Sequence, residues 1–396
     1  MAPILLRPAD GRLEMLGGQV EWRRSISRLA RVIFRRGSQN RFMKISVVIA
    51  NHNYERYLEA SIESVLSQNY PDLELVLVDD GSTDGSRQVM ERYRARAKIL
   101  FKPNGGQASA LNLGFRHCAG DAVLFVDSDD VLSPGALARI ASAWRPGFSK
   151  LHFPLDLVDQ EGGRLGGRIP RARLSRGDLR ADVSKRGLYV SSPGSGNAYA
   201  RSFLAAVMPI PEQDWPFADA YLICLAPMHG EIGAIDESLG GYRRHPGSAT
   251  NITTASLPEL RSKLSRMLET SLSMGRLVQR AAPPGLQSSG NPATRHWLHL
   301  KANLALAKVE RRSAAGTWGL ARQLAAAAWS APEVSPAGKL QFFAFALAVA
   351  ALPFSLAVPL IQAAFAPGDR VRCSVSAGAG RLSDWARVSR AGPPRR

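Results

Sequence analysis

Five carboxylates in this chain stand where two short apolar runs end. LELVLV is followed by Asp79 and Asp80, and AVLFV by Asp127, Ser128, Asp129 and Asp130. An Asp-x-Asp at a strand end, here Asp127 and Asp129, sets two hard oxygen donors where a divalent cation bridges protein and diphosphate, and Mg2+ or Mn2+ suits such donors. Alone, the same triplet also reads as a solvated turn or a helix N-cap, so the surroundings decide. No GxxxxGK[ST] and no GxGxxG follows the first apolar run, which leaves a phosphate-holding glycine loop without support and makes a cation the natural partner. Two acidic clusters facing one crevice repel each other unless a cation or a donor-rich ligand joins them.

The elements that must position these acids are legible in order. ISVVIA (45–50) is a β-branched run suited to a strand buried on both faces, and Leu58, Ile62, Val65 and Leu66 then recur at helical spacing with Pro71 beyond them. LELVLV (73–78) is a second strand, SRQVMERYRARA a second helix, KILF (98–101) a third strand, GQASALNLGFRHC a third helix, and AVLFVD (122–127) a fourth strand. Ser133 and Pro134 open a further helix as N-cap and first-turn residue. This alternation predicts an α/β fold, an open, mostly parallel sheet with helices on both faces, whose ligands bind at the carboxyl ends of the strands. Both acidic clusters fall at such ends. Asn104, Gly105, Gly106 and Gln107 open the third helix, where backbone N–H groups face a phosphate or sugar hydroxyls.

Beyond Lys150 the alternation gives way to Gly- and Pro-rich segments, with a short helical stretch near Asp219 to Pro227, a region that closes over the sheet on the acceptor side. Residues 257–335 read as a helical appendage divided by the loop PPGLQSSGNP. The run from 340 to 367 contains no charged residue and is long enough to span a bilayer. A single span would put the arginine-rich tail on the far side from a cytosolic body, against the positive-inside tendency. Pro353 and Pro359 permit a kinked re-entrant or interfacial hairpin instead, and a buried helix is the third reading.

The net charge of +18 raises nucleic acid as a partner, but its placement argues against that. Residues 1–42 hold nine Arg against three acids, and the tail from 367 holds seven Arg against two, so the long middle is only mildly basic. Basic ends around such a body suit an anionic membrane surface. Within residues 1–42, EWRRSISRLARVIFRR has an amphipathic pattern; the alternative is a disordered extension ahead of a start at Met43. Three scattered cysteines, with no CxxC, imply a reducing, cytoplasmic setting.

Taken together and in order, ISVVIANHNYERYLEASIESVLSQNYPDLELVLVDDGSTDGS, NGGQASALNLGF and FVDSDD resemble the family 2 glycosyltransferases of GT-A fold, from about Lys44 to His245. The resemblance implies a GT-A domain over 43–250 that transfers a sugar from a nucleoside-diphosphate sugar with inversion, using Mn2+ or Mg2+ held by Asp127 and Asp129. It implies that Asp80 accepts a hydrogen bond from the base and that Ala50, Asn51, His52 and Asn53 line the nucleotide pocket. Many relatives have Pro or Thr at Ala50 and Tyr at His52, so this chain departs there. Gln107 and Asn104 join the donor site, while Arg243 in LGGYRRHPGSAT faces the diphosphate and His245 completes the cation shell or touches phosphate. The general base falls at a helix start: Asp219, directly before AYLICLAP, or else Asp214; the family's Glu-Asp pair is here Ala218-Asp219. The acceptor expected is a saccharide or lipid-linked hydroxyl; a lipid-linked one would explain the apolar segment 340–367, which the 368–396 basic tail follows, and would put the protein at the inner face of the cell membrane. Two rivals follow from the same residues. A nucleotidyltransferase would need a GxGTRxxP-like start, which is absent, and a GT-A-fold membrane scaffold without chemistry would fit the altered Ala218-Asp219 pair.

Overall fold

The computed structural model describes residues 42–212, 218–245 and 255–365. The amphipathic stretch before Met43, Asp214 and the 368–396 tail lie outside these residues. The chain runs β1 (Ile45–Asn51), α1 (Glu55–Leu66), β2 (Leu73–Asp80), α2 (Ser86–Glu91), β3 (Lys98–Lys102), α3 (Gly106–Arg116), β4 (Ala122–Asp127), β5 (Val131–Leu132), α4 (Ala136–Ala143). After these come β6 (Phe148–His152), β7 (Leu155–Val158), β8 (Arg164–Ile169), α5 (Arg180–Arg186), β9 (Asn197–Ala200), α6 (Arg201–Val207), α7 (Ala218–His229), β10 (Glu231–Ala234) and β11 (Gly240–Arg243). The four predicted strands, α1 and α3 stand within two residues of where the pattern puts them, whereas α2 ends at Glu91, short of the predicted run SRQVMERYRARA. Ser133 is not an N-cap: the chain first turns, and Gly135, at φ 78°, precedes α4.

The main sheet has the order β10-β6-β9-β4-β1-β2-β3, parallel except for β9, which lies antiparallel to β4 and β6. Strand alternation divides its apolar residues cleanly. Val48, Val76, Val78, Val123 and Phe125 point to one layer with Ala108 and Leu111 of α3 and Leu222 and Leu225 of α7. Ile45, Val47, Ile49, Leu75, Leu77, Leu124 and Val126 point to the other, against Leu58, Ile62 and Val65 of α1 and Leu137 and Ile140 of α4. Each such side chain, taken fully out of water, contributes about 1.5–3 kcal/mol. Helix α3 sits very near the sheet: a Cβ on Gly114 would lie 2.4 Å from Val48 Cγ1, so any larger residue would displace the helix that carries Gln107. A second sheet, β5-β11-β7-β8, begins directly after the acidic turn at the carboxyl end of β4 and brings β11 beside β5.

From Ser256 the chain is helical: α8 (Leu257–Ala281), α9 (Trp297–Val309), α10 (Ala314–Ser330), α11 (Pro336–Ala351) and α12 (Phe354–Ala364). Ser256 and Glu259 form a reciprocal capping box that starts α8. These helices have a core of their own, with Leu260, Leu264, Leu304, Leu324, Val349 and Ile361 fully buried or nearly so. They join the sheet domain through α7–α8 packing and the Arg186–Glu333 ion pair at 3.2 Å, within one compact unit that begins at Met43. The long uncharged run is broken at Leu352 and Pro353 into α11 and α12. No helix among the described residues is long and apolar enough to cross a membrane.

Candidate active site

The acidic turn after β4 gathers Asp127, Asp129 and Asp130, each offering a carboxylate oxygen within 4.8 Å of the others. Their surroundings differ. Asp130 is buried, and both its oxygens are occupied: Ser195 Oγ donates to Oδ2 at 2.6 Å and the Arg243 amide to Oδ1 at 2.9 Å. Asp129 Oδ2 meets His245 Nε2 at 3.0 Å. Asp127 receives a long contact from Gln107 Nε2 at 3.4 Å, and its amide donates to Ser195 Oγ at 3.0 Å. Burial, followed by the charges of Asp129 and Asp219, pushes the Asp127 carboxyl up to about 8. Burial and the neighbouring aspartates also hold Asp130 well above the ordinary carboxylate range. The same burial and acid charges push the Tyr54 phenol up to about 12. Hard oxygens crowded this closely, with an imidazole at their edge, fit a divalent cation, and Asp127 and Asp129 have the carboxylates least engaged by protein donors.

Asp219 stands in the first turn of α7, and burial raises its carboxyl pKa, opposed by backbone N–H groups, including those of Ala220 and Gly194, and by the charge of Lys150. Gln107 ties the helix start to the acidic turn, since its Oε1 accepts from the Ala218 amide at 3.2 Å while its Nε2 faces Asp127.

On the nucleotide side, His52 Nδ1 lies 2.9 Å from the Asp80 carbonyl and its ring nitrogens are 3.1–3.2 Å from Asn104 Nδ2. Asn53, at φ 60°, accepts from the Thr83 amide at 2.7 Å, whereas Asn51 is buried and bonds Ser82 Oγ at 3.1 Å. Ala50, paired in register with Val78 and Asp127, is the penultimate residue of β1, between the two acidic strand ends. Asp79 is buried against the Ser82 amide and Arg87 Nε, a structural anchor.

Two placements differ from the sequence reading. Asp80 does not present an open carboxylate: Lys102 Nζ and the Gly105 amide bond Oδ1, and the Gly106 amide bonds Oδ2 at 2.8 Å. The first amides of α3 are therefore turned to a protein carboxylate. Arg243 likewise is buried, its Nε on the Asp129 carbonyl at 2.7 Å, its Nη1 on the Gln160 carbonyl at 2.8 Å and its guanidinium over the Tyr57 ring. It braces the acidic turn from behind. Lys102, Ser195, Tyr54 and Tyr57 went unnoticed in the sequence. Lys102 was detectable as a cation closing an apolar strand beside an acidic one, but a serine in a glycine turn carries no local signal. Tyr54 and Tyr57, with His245 packed 4.8 Å from the Tyr57 ring, line a cleft of about 500 Å3 together with His52, Asn53, Glu55, Arg56 and Asp84.

The sequence model of glycosyl transferase family 2 matches residues 46–165. A protein of Nostoc sp. described as an uncharacterized glycosyltransferase, alr2836, is 37% identical over 222 residues, covering 54% of this chain and 68% of that protein. The chain belongs to glycosyltransferase family 2. It is accordingly a glycosyltransferase, and Asp127, Asp129 and the residues around them are candidates for its active site. TarS of Staphylococcus aureus, a poly(ribitol-phosphate) beta-N-acetylglucosaminyltransferase, is 35% identical over 106 residues, 25% of this chain and 18% of that protein. Among solved structures, the mannosyltransferase PcManGT of Pyrobaculum calidifontis, in complex with GDP-Man and Mn2+, aligns with a TM-score of 0.49 at 17% identity over 91% of this chain and 94% of that one.

Proposed function

We propose that this glycosyltransferase takes a sugar from a nucleoside-diphosphate sugar and moves it to an acceptor hydroxyl in one inverting displacement, with Asp219 as general base. The observation that carries this reading is the convergence of the acidic turn and Asp219 on one small space: a methyl placed on Gly194 would lie 3.2 Å from Asp127 Oδ2 and 3.6 Å from Asp219 Oδ2. Asp127 and Asp129, with His245 beside them, would hold the Mn2+ or Mg2+, which supplies charge stabilisation to the departing nucleoside diphosphate. His52, Asn53 and Asn104 lie at the nucleotide end, with Ala50, Asn51 and Asp80 framing that loop; Gln107 keeps the base helix in register with Asp127, and Arg243 fixes Asp129 in place. Asp219, raised by burial toward neutrality yet held by backbone N–H groups, is suited to accept the acceptor's proton.

Titration of UDP, GDP and dTDP by calorimetry, with and without Mn2+, tests the donor half of this reading. One of the three is expected to bind only with Mn2+, and Asp129→Ala is expected to weaken that binding about a hundredfold or more, the scale of a lost ligand to a cation. Binding that ignores both the cation and the substitution would sink the assignment.

The acceptor belongs, in this proposal, to polysaccharide or glycolipid assembly at the inner face of the cell membrane. Leu340, Phe343 and Leu347, at helical spacing on α11, are 63%, 54% and 47% exposed, and Trp329 on α10 is 62% exposed with Lys339 over its ring. The opposite face of α11 is packed in the helical core through Phe345, Ala346 and Val349. A helix apolar on both faces, with cations at its edge and an arginine-rich tail following α12, supports interfacial seating on anionic lipid over crossing it. Phe343→Ser with Leu347→Ser is expected to reduce co-flotation with vesicles containing phosphatidylglycerol at least about fivefold while leaving donor hydrolysis intact. Equal flotation of the variant would remove the membrane from the proposal.

A further inference from the structure

The turn Gly194–Gly196, between the last Pro-rich segment and β9, stands between the acidic turn and the start of α7. Ser195 Oγ donates to Asp130 Oδ2 at 2.6 Å and accepts from the Asp127 amide at 3.0 Å. The Gly194 amide faces the Asp219 carboxylate and opposes the rise in its pKa. Fully buried Asn197 holds the turn in shape, its Nδ2 donating to the carbonyls of Ser192, Pro193 and Gly194 at 2.7–3.2 Å, while Lys150 Nζ donates to its Oδ1 at 3.0 Å.

The two glycines of this turn are there for different reasons. A Cβ on Gly196 would meet Ser192 Cβ at 2.6 Å and the Phe153 carbonyl at 2.7 Å, so packing alone excludes a side chain. Gly194 is constrained by the acids instead: its φ is outside the left-handed region, and the three atoms nearest a Cβ there are Asp127 Oδ2 at 3.2 Å, Asp219 Oδ2 at 3.6 Å and Asp127 Cγ at 3.8 Å. Backbone geometry permits alanine there, and what its methyl would press on and fill is the gap between the proposed cation-binding acids and the proposed general base. In a single displacement the anomeric carbon must sit between the group that stabilises the leaving diphosphate and the base that activates the acceptor.

We infer that the Gly194–Ser195 turn is the wall of the donor-sugar subsite, with Gly194 keeping the gap open for the sugar ring and Ser195 holding Asp127 and Asp130 at the matching distance. The inference rests on the proposed roles of Asp127 and Asp219. Gly194 is a specificity-determining position and Ser195 a positioning residue.

Calorimetry on the full chain with Mn2+ separates the possibilities, using UDP, GDP and dTDP alongside UDP-GlcNAc, UDP-glucose, GDP-mannose and dTDP-glucose, with thermal unfolding as the check on folding. For Gly194→Ala the nucleoside diphosphate is expected to bind within about twofold of wild type, while the matching nucleotide sugar weakens at least about tenfold, the scale of one methyl forced into a filled site. Ser195→Ala, which adds no atom, is expected to raise the Mn2+ concentration for half-saturation about tenfold by freeing two hydrogen bonds of the acidic turn. Equal loss of diphosphate and sugar in Gly194→Ala, or no change in either variant, overturns the subsite. No cation-dependent nucleotide binding by the wild type overturns the donor reading itself, and the inference with it.

Discussion

Replacing Asp219 by Asn is expected to lower the transfer rate about 10²–10⁴-fold, the usual worth of a positioned general base, with nucleoside-diphosphate affinity within about twofold of wild type. The change is nearly isosteric. The amide oxygen can still accept from the N–H groups of Ala220 and Gly194 that now reach the carboxylate, so a residue that only caps α7 would tolerate it with a modest loss of stability. The size of the rate effect therefore separates a base from a cap. Asp214→Asn serves as the comparison: a large loss there with activity kept in Asp219→Asn would move the base to the segment before α7. A wild-type pH profile adds a second readout, because burial raises Asp219 and so places the acid limb of the rate above the ordinary carboxylate range.

The second large effect is a pH-dependent affinity for the cation. Asp127 has a folded-state pKa of about 8 in the cation-free protein, against an ordinary aspartate value near 4, through burial and the charges of Asp129 and Asp219. Between those two values the native state holds a proton that the unfolded chain has lost, so this group lowers stability progressively as pH rises through that window and reaches its full destabilisation above about 8. A cation binds the ionised form and must displace that proton below pH 8. Mn2+ affinity is thus expected to rise about tenfold per pH unit from 6 to 8 and then level off, with a larger Mn2+-induced rise in Tm at pH 8 than at pH 6. Calorimetric titration at three pH values checks this. A flat affinity across the range would mean that Asp127 is already ionised in the free protein and is not a crowded ligand.

Both effects originate in one arrangement. The carboxylates are kept close by a frame made of Ser195, the Arg243 amide and Gln107, and in the proposed function a cation would relieve that proximity. The frame also explains why Arg243, expected at the diphosphate, and Asp80, expected at the base, turn inward. Asp80 fastens the start of α3 to the end of β2, and Arg243 fastens β11 to the acidic turn. Without those ties the loops at the strand ends would carry the acids on mobile supports.

Local pattern by itself determined the parallel strands, the helices between them and the arrival of Asp79, Asp80, Asp127, Asp129 and Asp130 at carboxyl ends, because two-residue and 3.6-residue periodicities are written in neighbouring positions. It also marked Asp219 at a helix start and the charge-free run after Leu340. Tertiary structure alone decided what stands opposite what. Ser195 meets Asp130 across 65 residues, Gln107 meets Ala218 across 111 and Arg243 meets Asp129 across 114. Such contacts depend on how β9 inserts antiparallel between β4 and β6 and how the second sheet brings β11 beside β5, and no window of sequence encodes that. Which charges face the crevice and which are buried behind it is likewise a matter of partners: both oxygens of Asp130 accept from protein donors, Ser195 and the Arg243 amide, whereas Asp127 and Asp129 are less engaged.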